Sequence, residues 1–128
     1  MKAIDTNVVV RYLTGDDPRQ SAKARGVVET GGVYVSTTVF LESEWVLRSV
    51  YGLSAKDVAA ALRAFSGLPG ITVESPSLLK KALDRAEAGM DFADALHLGS
   101  AGHCETMLTF DRSFIRTAKD ASTRVKEI

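Results

Sequence analysis

Four acids of this chain, Asp5, Glu42, Asp94 and Asp111, stand in settings where a carboxylate calls for explanation. Asp5 follows Lys2-Ala3-Ile4, a short extended start, and Asp111 stands two residues after Thr109 at the end of a second strand-like run. Each of these two also suits a plain helix cap, because Asp is favoured at strand-to-helix turns. Asp94 is harder to account for. It lies in Asp91-Phe92-Ala93-Asp94-Ala95-Leu96-His97-Leu98, where nearly every neighbour is apolar and a mid-helix Asp has poor propensity. Asp91 and Asp94 share one side of that helix and repel, with no Lys or Arg between Ala86 and Asp111 to relieve them. Glu42 sits in Val39-Phe40-Leu41-Glu42-Ser43-Glu44-Trp45-Val46-Leu47, apolar enough to be a largely buried helix. Glu44, two residues on, is turned by roughly 200 degrees, so Glu42 is expected to face a site and Glu44 to face outward, near the positive end of the helix dipole.

Gathering four carboxylates raises an electrostatic problem that selects the cofactor. Each like-charged pair at about 4 Å repels by roughly 4 kcal/mol at an effective dielectric near 20, so either pKa values rise or cations bind. Oxygen ligands without Cys or His suit Mg2+ or Mn2+ better than zinc. His97 and His103 are a weak zinc lead beside the single thiol, Cys104. The same histidines are poorly placed as a catalytic pair, since six residues on one helix separate them by about 240 degrees.

The elements that must position these acids follow from periodicity and punctuation. Lys2 to Ile4 reads as a strand that turns at Asp5-Thr6-Asn7 into a helix carrying Val8, Val9, Tyr12 and Leu13. Asp17-Pro18 opens a helix that Gly31-Gly32 stops, Val33 to Ser36 is a strand, and Thr37 or Thr38 caps a helix running to Gly52. Ser54 with Asp57 opens the next helix, with Val58, Leu62 and Phe65 on one face, and Ile71-Thr72-Val73 is a third strand. A helix from Ser75-Pro76 closes at Gly89, a helix runs from Asp91 to Ala101, Thr106 to Thr109 is a strand, and a helix covers Asp111 to Lys119. Arg124 to Ile128 alternates in polarity like an edge strand. Strands separated by helices argue for an α/β fold with a mainly parallel central sheet and helices on both faces, whose site lies at the carboxyl ends of strands. Tyr12 and Trp45, at helical spacing within apolar runs, are expected in the core.

A chain of 128 residues suits one domain, and 45% hydrophobic with 25% charged residues is ordinary for a globular protein. Sixteen basic residues balance sixteen acidic ones, so any contact with nucleic acid must be local. The apolar runs fall far short of the roughly 20 residues needed to span a bilayer, and the N-terminus lacks a signal-peptide core. Cytoplasmic residence is the expectation by elimination.

Asp5-Thr6-Asn7, Glu42 before Trp45-Val46-Leu47, Asp91-Phe92-Ala93-Asp94-Ala95-Leu96 and Thr109-Phe110-Asp111 together resemble the successive motifs of PIN-domain nucleases, especially the VapC-like toxins of bacterial toxin-antitoxin pairs. The resemblance covers essentially the whole chain and implies a single three-layer α/β/α domain over residues 1–128. It makes Asp5, Glu42, Asp94 and Asp111 the acidic metal site of an endoribonuclease, with Thr6, Asn7 and Asp91 as accessory groups. Asp91 suits a helix cap equally well. Glu44 departs from the pattern, since similar toxins often have an apolar residue there. Arg112 and Arg116, four apart beside Asp111, are candidates to bind RNA phosphates, with a solvated helix face the plainer reading. The resemblance further implies a small antitoxin partner and a homodimer, for which Val46, Val50, Leu62 and Phe65 offer a surplus of apolar helical residues. Rival readings are a receiver-type signalling domain, which lacks its acceptor Asp after Val73, and a PIN-like RNA- or protein-binding module without catalysis.

Overall fold

A computed structural model describes residues 1–128. The chain is α/β, with seven helices and five strands, and every strand pair is parallel. It resolves into two compact units, Met1–Pro76 and Ser77–Ile128.

In the first unit, β1 (Lys2–Ala3), β2 (Val33–Val35) and β3 (Ile71–Val73) form a sheet in that order. Lys2 is in register with Val33, and Val33 with Ile71. The crossovers are helical pairs: α1 (Thr6–Thr14) with α2 (Pro18–Thr30), then α3 (Thr37–Ser49) with α4 (Ala55–Ser66). Asp17 accepts from Gln20 N and places Pro18 in the first turn of α2, where its missing N–H is harmless. Ser36, one residue earlier than expected, caps α3 through Val39 N. Ser54 caps α4 through Asp57 N at 3.0 Å. The core is Val9, Val28, Val33, Val35, Phe40, Leu47, Val58, Leu62 and Phe65, all nearly inaccessible. Phe65 is its hub, meeting Tyr12 and Phe40 edge to face at centroid distances of 5.4 and 6.5 Å.

Gly31 and Gly70 meet where α2 gives way to β2 and the chain enters β3. A Cβ on Gly70 would lie 2.8 Å from both Gly31 Cα and Val28 O, so the two backbones approach as closely as they do only without a side chain.

In the second unit, α5 (Pro76–Glu87), α6 (Phe92–Ser100) and α7 (Arg112–Thr117) accompany a two-stranded parallel sheet of β4 (Thr106–Thr109) and β5 (Arg124–Glu127). The C-terminal segment is thus a strand, paired with β4 from Thr106–Arg124 to Thr109–Glu127. The sequence reading anticipated one central sheet. The hydrogen-bonded strands form two, because β4 exchanges its ladder bonds with β5 alone. Buried side chains here include Leu79, Leu83, Met90, Phe92, Leu96, Leu98 and Phe114. The helix α6 ends at Ser100, so His103 falls outside it and His97 and His103 do not share a helix. No helix is long and apolar enough to cross a membrane.

Candidate active site

The carboxyl end of β1 is tied to β2 by Ile4 N donating to Tyr34 O at 3.2 Å, which leaves Asp5 at the strand-to-helix turn. There Asp5 Oδ1 accepts from Val8 N at 3.2 Å and caps α1. The next residue, Thr6, is buried, and its hydroxyl donates to Glu42 Oε1. One hydrogen bond therefore locks the carboxylate of α3 to the first turn of α1. Asn7 is exposed and hydrogen-bonds neither acid. A third acid of this sheet end, Glu74, follows β3. Its Oε1 accepts from Thr37 N at 2.8 Å, so it supplements Ser36 at the start of α3. Sequence reasoning passed over Glu74; the available signal was an acid directly after a strand, the same setting as Asp5.

Glu42 and Glu44 do face apart, with Glu42 reaching Thr6, but Glu44 does not face outward as expected. Glu44 is only 4% exposed and forms a two-pronged ion pair with Arg48, whose Nε reaches Oε2 and whose Nη2 donates to Oε1 at 3.0 Å. Glu42 is the exposed acid. A cation at i+4 lets Glu44 turn inward on the buried face. Trp45, expected in the core, is 55% exposed, while Tyr12 does pack on Phe65.

In the second unit, Asp91 Oδ1 accepts from Asp94 N at 3.0 Å and caps α6, so the capping reading of Asp91 holds. Asp111 Oδ1 accepts from Ser113 N at 2.9 Å and from Phe114 N at 3.2 Å, capping α7, and Thr109 Oγ1 steadies Asp111 N at 3.0 Å. Asp94 is half-buried and takes no cap role. Burial pushes its carboxyl above the usual carboxylate range, and the negative charges of Asp91 and Asp111 push the same way, against a smaller opposing effect of His97. Asp94 thus lies within electrostatic reach of both Asp91 and Asp111. The structure gathers no group of three or more His, Cys, Asp or Glu side chains at ligand spacing.

A family model described as the PIN domain matches residues 2–120. The chain belongs to the PIN-domain family. The match runs through both compact units and includes all four acids singled out above. PIN domains are generally nucleases and generally use divalent metal ions. No curated protein matches the chain.

The acids of this PIN domain suit such an ion by donor chemistry. Asp5 and Asp111 spend Oδ1 on their caps, and Asp94 carries a charge that its surroundings disfavour and that a divalent cation would offset. Arg112, a candidate phosphate ligand, is instead bound to Glu127 at 3.0 Å. Arg116 donates to Ser113 Oγ at 3.3 Å. Leu62 and Phe65, proposed for a dimer surface, are buried in the core and cannot serve there.

Proposed function

We propose that this PIN domain is an endoribonuclease dependent on Mg2+ or Mn2+, with Asp5, Glu42, Asp94 and Asp111 as the metal ligands and catalytic acids. The observation that carries the reading is the half-buried Asp94 between the charges of Asp91 and Asp111, in a stretch without any Lys or Arg from Glu87 to Phe110. A carboxylate placed in this way takes up either a proton or a cation, and a divalent ion answers the same repulsion.

The chain's own groups have definable tasks in this reaction. Thr6 orients Glu42 by its hydrogen bond. The caps hold one oxygen each of Asp5 and Asp111 against the backbone, leaving the second for a ligand. Asp91 both caps α6 and adds to the negative potential at Asp94. A bound divalent ion would supply activation of a water nucleophile and stabilisation of charge on the phosphate. In-line hydrolysis of this kind leaves 5'-phosphate and 3'-hydroxyl ends.

The finer reading is that the protein is the toxin of a VapC-like pair, acting in the cytoplasm as a homodimer and restrained by a small antitoxin. An Arg or Lys of that partner would offset the repulsion among the acids in place of the metal. Exposed Trp45 supports an apolar contact for the partner's tail, whereas Leu47 is buried and offers none. Incubation of the purified protein with total RNA and Mn2+ or Mg2+, an EDTA control and sequencing of the cut ends tests the reading. RNA left intact in metal by the folded protein would favour a PIN-like binding module instead.

A further inference from the structure

The first unit carries a basic face that the acids do not explain. Between α1 and α2 lies a cleft of about 320 Å³ lined by Asn7, Arg11, Gln20 and Lys23, with Val8 and Val27 among its apolar walls. A neighbouring cleft of about 480 Å³ is lined by Lys2, Lys23, Val27 and Thr30. Lys23 and Val27 border both, so the two clefts adjoin along α2. Neither lining contains an Asp or a Glu, in a chain whose acidic and basic residues are equal in number.

The cations on this face are not equivalent. Arg11 is committed, with Nε donating to Gln20 Oε1 at 2.7 Å and Nη1 to Asp16 and to Tyr51 Oη. Lys2 and Lys23 are exposed and have no carboxylate partner. Two uncompensated ammonium groups along adjoining clefts present fixed positive charge at successive points, with exposed apolar surface at Val27 between them. Asn7 carries the face to within two residues of Asp5, with its side-chain amide unused.

We infer that the Lys2–Lys23–Asn7 face is the track along which a single strand of RNA enters, its phosphates held by Lys2 and Lys23 and its next nucleotide met by Asn7 beside Asp5. This rests on the ribonuclease reading and assigns backbone contact to α2 rather than to Arg112 and Arg116. Lysine suits the role as a mobile point charge for phosphate, and Val27 and the aliphatic lysine stems give ribose and base an apolar surface. Contacts of this kind fix the register of the strand without reading its sequence.

The test is fluorescence anisotropy of a labelled single-stranded RNA with the protein in EDTA, across a salt series. Each phosphate contact on a single strand contributes about 0.7 to the slope of log affinity against log salt, so Lys2→Ala with Lys23→Ala is expected to lower that slope by about 1.4. The double variant should also bind at least about tenfold more weakly near physiological salt. The Lys2→Arg and Lys23→Arg pair should keep the wild-type slope. Arg25→Ala, which removes a charge from α2 at a position lining neither cleft, should keep it as well. Melting curves matching the wild type establish that each variant is folded. An alanine pair with unchanged slope and affinity, or an Arg25→Ala loss of equal size, overturns the track while the ribonuclease reading stands. A wild-type protein that cleaves RNA in metal but does not bind it in EDTA also overturns the track. A wild-type protein that neither binds nor cleaves RNA overturns both.

Discussion

Asp94 is the residue at which repulsion and burial meet, and its behaviour without metal is predictable in sign. Its carboxyl binds a proton more tightly in the folded chain than in the unfolded one, first because of burial and then because of Asp91 and Asp111. The ionised form therefore opposes folding at neutral pH, and wild-type stability rises relative to an uncharged side chain as pH falls through the raised pKa. Asp94→Asn is expected to melt above the wild type at pH 7 in EDTA. The gap should narrow as pH approaches the ordinary Asp range near 3.9. Thermal melts of both proteins across pH check this, and a wild type that melts higher at pH 7 contradicts it. Glu44 gives the opposite case. Its carboxylate is buried but paired with Arg48, and Arg48 is partly exposed, which moderates the penalty of losing its partner. Glu44→Ala should lower stability by about 1 to 3 kcal/mol in urea denaturation without touching metal affinity. A neutral effect would mean that the pair adds nothing to the fold.

The elements were legible because most are bounded by residues with a local mechanism. Asp5, Asp17, Ser54, Asp91 and Asp111 all cap helices through backbone N–H groups, and a cap acts over three residues, within reach of sequence inspection. The facing of α3 was not legible in the same way. Periodicity established that Glu42 and Glu44 diverge, but both flanks are apolar, and only the pairing of Glu44 with Arg48 turns Glu44 inward. For the same reason Trp45, next to Glu44 in an apolar run, emerges on the exposed side. Contacts between distant backbones leave no periodic trace either. Gly70 is the point where the chain entering β3 passes Gly31, which no local pattern announces. Gly70→Ala should destabilise by about 1 to 3 kcal/mol through overpacking, read as a shift of the denaturation midpoint. A gain in stability, as expected for Gly→Ala at an unhindered site, would contradict the close approach.

At the level of the whole chain, the α/β class and the parallel sense of every strand pair follow from strands separated by helices, since parallel neighbours need long crossovers. The division into a three-stranded and a two-stranded sheet does not follow, because pairing partners are chosen by long-range packing rather than by any local signal. Asp5 and Asp111 stood out as acids at strand ends and Glu42 and Asp94 as acids within apolar helices, and the PIN-domain match spans all four. Partners and oligomeric state leave a weaker mark. The apolar residues expected at a dimer surface proved to be core at Leu62 and Phe65 and exposed at Val50, a distinction that hydrophobicity alone cannot draw. The most direct test of the carboxylate site is the Mn2+-dependent cleavage rate of a single-stranded RNA oligonucleotide, compared between wild type and Asp94→Asn after both are shown to be folded. Loss of a partner behind a metal ligand typically lowers activity about 10- to 100-fold, so loss of the ligand itself should lower the rate by at least about 100-fold, with wild-type cleavage abolished by EDTA. Cleavage that survives EDTA, or an Asp94→Asn protein that cuts at the wild-type rate, would contradict the assignment.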